Sequence, residues 1–142
     1  MRDVYLAEKF QSLRKAKTGT RFSQVYEEAA DAIFEVTSAT ALRLLFWILN
    51  EMDADNLVRL RGIEKERFAE KCNQKYPSST INKALKVLQE QGFIVSINRG
   101  GERTGSFFVN PHLFWKSNSQ KDRNKRIHEF HEFLKLKSNE EN

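Results

Sequence analysis

Ser79, Asn82, Lys83 and Lys86 fall within one short stretch of this chain, and their types can all engage a polyanion. An Asn amide can pair bidentately with adenine, Lys can reach guanine or phosphate, and Ser can bond to either. Their spacing matters as much as their type. With Ile81 set at zero on a wheel of roughly 100° per residue, Ala84, Leu85 and Leu88 gather beside it as a buried stripe, and the polar four take the far side. Ser78 or Ser79 starts this helix, and a helix N-terminus favours phosphate. Glu90 shares the polar face but lies at its far end.

The helix runs into Gly92, a short apolar segment (Phe93-Ile94-Val95), a polar turn (Arg99-Gly100-Gly101-Glu102-Arg103) and a second apolar segment (Phe107-Phe108-Val109). The order is helix, strand, turn, strand. Gly100 and Gly101 permit a tight turn and close backbone approach. Arg99 and Arg103 beside them can enter a minor groove or bind phosphate. Upstream, Ile63, Arg67, Phe68 and Lys71 follow a helical period over Ile63 to Gln74, and Tyr76-Pro77 stops it, because proline disfavours a helical residue before it. Two helices joined by a turn of about three to four residues fit helix-turn-helix geometry, although the usual turn glycine is missing. Followed by a basic hairpin, they are how a winged helix-turn-helix meets duplex DNA, with the helix in the major groove and the hairpin along the backbone. Taken singly, a polar helix face is ordinarily just solvated and a Gly-Gly tip ordinarily just a turn. Helix, hairpin and positive charge together point to double-stranded DNA.

Other elements must hold this unit. Ser38 to Met52 reads as the central core helix, capped by Thr37 or Ser38. Leu42, Leu45, Phe46 and Leu49 recur along it, with Leu44, Trp47 and Ile48 broadening the apolar face. Leu57 to Arg61 alternates as a short strand, Arg21 to Tyr26 reads as another, and Glu27 to Val36 as a helix. Leu6, Phe10 and Leu13 are helically spaced in a basic N-terminal segment. Asn110 to Lys116 is an aromatic-rich turn or short helix. Lys121 to Lys137 forms a last helix whose Ile127, Phe130 and Leu134 face, with Phe133 beside it, docks on the core or pairs with a second subunit. A polar tail follows from Ser138. Lys121 and Arg123 on this helix can extend a phosphate footprint.

The fold class expected is mainly α with a small β-hairpin wing: a winged helix-turn-helix with additional N- and C-terminal helices. The division is an N-terminal extension over 1–36, a DNA-binding core over 37–117 and a C-terminal basic helix and tail over 118–142. The candidate DNA-binding set is Ser78, Ser79, Asn82, Lys83, Lys86, Arg99, Arg103, Lys121 and Arg123.

Bulk properties bound the alternatives. The chain has 142 residues, suiting one domain. Lys and Arg number 24 against 19 Asp and Glu, giving +5, which favours polyanionic partners and says nothing about fold. Only 39% of residues are hydrophobic, so eleven Phe and two Trp must supply much of the core. The one cysteine, Cys72, excludes an intramolecular disulfide and reads as a half-buried helix residue. His128 and His131 sit three apart without the further ligands that zinc wants, so no metal is expected. No phosphate loop, nucleophile elbow or paired carboxylates stand out, and the expectation is a binding protein without cofactor rather than an enzyme. No apolar run approaches a membrane span, which leads us to expect a cytoplasmic protein.

The segment from Leu57 to Lys116 resembles the winged-helix replication proteins of small Firmicute-type plasmids, the RepL family. The resemblance is carried by Asn56-Leu57-Val58-Arg59-Leu60, by Ser79 through Leu88, by Gln91-Gly92-Phe93-Ile94 and above all by Phe108-Val109-Asn110-Pro111-His112-Leu113-Phe114-Trp115-Lys116. The helix from Ser38 to Met52 and Phe22-Ser23-Gln24-Val25-Tyr26 are similar too. Two places depart: Gln74-Lys75-Tyr76-Pro77-Ser78 stands where that family often has a Gly-Ile/Val-Ser turn, and Ser117 stands where it usually has glycine. The resemblance implies a sequence-specific origin-binding or maintenance protein, with host replication proteins and a second copy of the chain as candidate partners. The same domain also serves transcriptional regulators and protein-interaction modules that bind no DNA, and fold alone does not separate these.

Overall fold

The computed structural model describes the backbone of residues 24–99, 102–116 and 120–141, and their side chains except at 99, 102, 103, 120 and 138–141. The N-terminal segment expected to be helical, and the Gly100-Gly101 tip, lie outside the described residues. In chain order the elements are β1 (Gln24–Val25), α1 (Glu27–Phe34), α2 (Ala39–Glu51), β2 (Leu57–Arg59), α3 (Gly62–Lys71), α4 (Ser78–Glu90), β3 (Ile94–Arg99), β4 (Glu102–Val109), β5 (Phe114–Trp115) and α5 (Gln120–Glu141). The fold is mainly helical with two small antiparallel sheets, one of β1 and β5 and the other in the order β2-β4-β3.

α2 is central. Ser38 Oγ accepts the Ala41 N–H at 3.1 Å, satisfying an amide that has no intrahelical partner. At the other end the Lys116 ammonium donates to the Asn50 and Met52 carbonyls, a cation where the helix dipole is negative. The buried face is Ala41, Leu44, Leu45, Ile48 and Leu49. The face expected from sequence was rotated relative to this one: Phe46 is 56% exposed and Leu42 only half-buried. Apolar residues nearly encircle this helix, so periodicity could not choose the side that packs.

Alternation in the hairpin explains how two layers meet on one sheet. Successive strand residues point to opposite faces. Ile94, Phe107 and Val109 join the main core with Phe68, Phe93 and Phe114, while Val95 and Phe108 face the other way and form a second cluster with Phe130 of α5. Phe108 meets Phe130 and Phe133 edge-on, with ring centroids 5.6 Å and 5.9 Å apart. α5 therefore docks, through Phe130 and Phe133. Leu134, expected on that face, lies at its exposed rim. Arg126 fastens the helix to the turn before β2 by an ion pair with Asp55 at 2.9 Å. The helix continues through Glu141, past Ser138 where a polar tail was expected.

Several details differ from the expectation. The α3–α4 connection spans residues 72–77, longer than the short turn expected, because α3 stops at Lys71. Asn73 takes a left-handed φ of 53° and its N–H returns to the Glu70 carbonyl at 2.9 Å, so Asn73 turns the chain before Tyr76-Pro77 is reached. Ile63, placed on the α3 stripe, is exposed, and Phe68 is the residue α3 buries. Of the turn or short helix expected over Asn110 to Lys116, the turn is present at residues 111–113, and Phe114 and Trp115 then pair with Val25 and Gln24 as an unexpected strand.

Candidate nucleic-acid interface

α4 begins immediately after Pro77, whose extended backbone (ψ 150°) breaks the preceding chain and supplies no side-chain cap. Its first amides keep their partial positive charge at the surface. From there the helix buries Ile81, Ala84, Leu85 and Leu88, as its periodicity required. The opposite face carries Ser79, Asn82, Lys83 and Lys86, and Ser78 opens the helix at its first position; all five are exposed. Four of the nine candidate residues thus share one outward face, with hydroxyl, amide and ammonium donors in a row, and a fifth, Ser78, stands at its N-terminal end. Glu90 is exposed at the far end.

The hairpin follows α4 after Gln91-Gly92-Phe93. Its strands are longer than the apolar segments alone suggested, with Ile94 opposite Val109 at the base and Arg99 opposite Glu102 beside the tip. Polar Ser96 and Asn98 continue the ladder, opposite Phe107 and Arg103. The register shifts between Ile97 and Asn98, where Thr104 Oγ1 donates to the Ile97 carbonyl at 2.6 Å and Gly105 takes φ 75°. Such a bulge bends and twists the hairpin. The backbones of Arg99 and Arg103 flank the tip, one on each strand.

Sequence reasoning passed over three cations here. Lys65 of α3 reaches α4 and donates to Asn82 Oδ1 at 3.0 Å, so the two helices share one polar surface. Arg61 precedes α3, where the Glu64 carboxylate accepts its N–H at 3.1 Å. Its side chain lies across the hairpin, with Nε donating to the Thr104 carbonyl at 3.4 Å, and a Cβ on Gly105 would stand 3.0 Å from Arg61 Cγ. Arg59 is exposed on β2 opposite Ser106. The available signal was the alternation already noted from Leu57 to Arg61, whose outward positions are Arg59 and Arg61.

Lys121 and Arg123 belong to a different place. Both lie near the start of α5, at the base of the hairpin. Lys121 is exposed. Arg123 is engaged within the chain: Nε donates to the Pro111 carbonyl at 2.9 Å, an Nη to the His112 carbonyl at 3.2 Å, and the guanidinium lies 3.8 Å from the centre of the Tyr26 ring. It clamps α5, the 110–113 turn and the segment after β1 together. Beside it, His112 and His131 bring their Nε2 atoms to 3.4 Å. Burial lowers the His112 pKa, helped by the nearby His131 and Arg123 and opposed by Glu28. His128, which the sequence grouped with His131, is exposed, and no cluster of three or more metal-ligating side chains occurs among the described residues. No helix among the described residues is long and apolar enough to cross a membrane.

Several residues that shape this surface are architectural. Asn56 is fully buried and donates through Nδ2 to the carbonyls of Val109 (3.2 Å) and Phe114 (2.8 Å). Asn110 Nδ2 donates to the Gly92 carbonyl at 2.9 Å, tying the end of β4 to the end of α4. The position of the hairpin relative to α4 is therefore fixed by side-chain amides as well as by packing.

A family model described as Firmicute plasmid replication protein (RepL) matches residues 5–142. No curated protein and no solved structure matches the chain.

Proposed function

The chain belongs to the RepL family of Firmicute plasmid replication proteins, and from that premise we propose that it is a cytoplasmic initiator that binds duplex DNA at its plasmid origin as a winged helix. In this reading α4 is the recognition helix, β3 and β4 are the wing, and the bound protein recruits host replication proteins. It is a binding protein, not an enzyme. The observation that carries the reading is the outward face of α4, where Ser79, Asn82, Lys83 and Lys86 stand opposite the buried Ile81, Ala84, Leu85 and Leu88, with the hairpin following directly. Asn82 contacts base edges, Lys83 and Lys86 reach guanine or phosphate, and Arg99 and Arg103 lie over the backbone or in the minor groove. Arg61 and Lys65 add cations between helix and wing.

The test is a mobility-shift titration of the full-length protein against fragments of the replicon that encodes it, at one fixed physiological salt. One fragment is expected to bind at least about 1,000-fold more tightly than random duplex. Equal affinity for all fragments would remove origin recognition. On the bound fragment, Asn82→Ala is expected to cost about 1–3 kcal/mol and to relax sequence preference. A loss of the same size on every sequence would mean that Asn82 reads no base.

A further inference from the structure

A cleft of about 850 Å³ opens between α2 and α3, and none of its lining residues belongs to α4. Its apolar lining includes Leu42, Phe46, Trp47 and Phe68, and Arg43 and Lys71 stand among its lining residues. Arg43 and Lys71 are exposed. The same chain carries the complementary shape. α1 ends in Phe34, which is 88% exposed, the most exposed large apolar side chain among the described residues. Asp31 and Glu35, both exposed, flank it in sequence. Ala29 and Val36 are buried and anchor α1, so Phe34 cannot turn inward without the helix leaving the core. An acid-flanked aromatic thus projects from the segment that leads directly into α2, and α2 lines a base-flanked apolar cleft.

We propose that this face pairs with a second copy of the chain, Phe34 of each copy entering the other's α2–α3 cleft. Three observations select this occupant. The charges match: Asp31 and Glu35 meet Arg43 and Lys71, whereas the N-terminal segment, with Arg2, Lys9, Arg14, Lys15 and Lys17, would bring cations to a cationic rim. α1 has no basic residue in its own last turn and Glu35 at its C-cap, an end where the helix dipole favours cations of the kind the cleft rim carries. Knob and cleft are also neighbours in the chain, so a two-fold axis between them forms both contacts at once, as an isologous interface requires. Neither Phe34 nor the cleft lining uses a residue of α4 or the hairpin, so the pairing stands whether or not DNA is bound.

Sedimentation equilibrium of the full-length protein without DNA, over about 1–100 µM, tests this. The wild type is expected to dimerise in that range. Phe34→Ser removes a side chain that contributes little to the monomer, so thermal unfolding confirms the fold while the dimer dissociation constant rises at least about tenfold. Glu35→Lys and Arg43→Glu should each weaken the dimer, and together restore it. That rescue would not arise from an interface elsewhere, such as the exposed rim of α5. A wild type that stays monomeric at 100 µM overturns the proposal, as does a dimer indifferent to Phe34→Ser or a charge-swapped pair no tighter than either single variant.

Discussion

Asn56 shows how much one side chain does here. In the sequence it stands only at the head of the Asn56 to Leu60 stretch, yet it is fully buried, with φ 61°, and its amide joins the end of β4 to β5. Removing the amide leaves two buried carbonyls without this donor, and alanine tolerates the left-handed backbone poorly. Asn56→Ala is therefore expected to lower stability by about 2–4 kcal/mol in urea denaturation. Asn56→Gly should recover about 1 kcal/mol of that, because glycine accepts the backbone but not the bonds. The His112–His131 pair makes a prediction in pH. The His112 pKa lies below its usual value in the folded protein, chiefly through burial. Below the ordinary histidine pKa of about 6.5 the unfolded chain takes up a proton that the folded chain resists, so stability falls with pH until the lowered folded pKa is passed. The melting temperature is expected to fall between pH 7.5 and 5.5, and His112→Gln should reduce that fall. A pH dependence unchanged in the variant would place the titration elsewhere.

Among the elements, the hairpin bulge tests how the hairpin is set against the start of α3. Gly105 has φ 75°, and a Cβ there would press on Arg61 Cγ at 3.0 Å. Gly105→Ala is expected to cost about 1–2 kcal/mol from the backbone alone. Because the Arg61 side chain is flexible, adding Arg61→Ala should relieve the contact but not the backbone strain. The double variant should then be less destabilised than the sum of the two single ones, read from denaturation midpoints. What sequence could tell about these elements follows the same physics. α4 was legible because its apolar residues occupy one stripe, so a single periodic reading places both the buried Ile81, Ala84, Leu85 and Leu88 and the outward Ser79, Asn82, Lys83 and Lys86. α2 was legible as a helix but not in its facing, because Leu42, Phe46 and Trp47 extend the apolar surface around it. The α3 stop was missed because Asn73 entering the left-handed region leaves no mark as strong as Tyr76-Pro77. Arg123 and Lys121 look alike in sequence. Only the fold brings the Pro111 and His112 carbonyls and the Tyr26 ring to one of them and not to the other.

At the scale of the whole molecule a net charge of +5 is too small to hold DNA without local arrangement. The arrangement is local: Lys83 and Lys86 project from α4, Lys65 and Arg61 approach from α3 and its N-cap, and Glu90 is the acid at the far end of the α4 face. Each cation that neutralises a phosphate releases a counterion, so binding should weaken linearly in the logarithm of salt concentration, with a slope set by the number of such contacts. Lys83→Ala and Lys86→Ala are each expected to reduce that slope by about 1 where the side chain meets phosphate, and to leave stability nearly unchanged because both are exposed. Lys121→Ala, at the base of the hairpin, should weaken binding to all sequences alike if α5 extends the footprint. Titrations at several salt concentrations, with origin and random duplex side by side, separate these outcomes. An affinity and slope left unchanged by the double variant at Lys83 and Lys86 would take DNA away from α4 and favour a protein partner for the same surface.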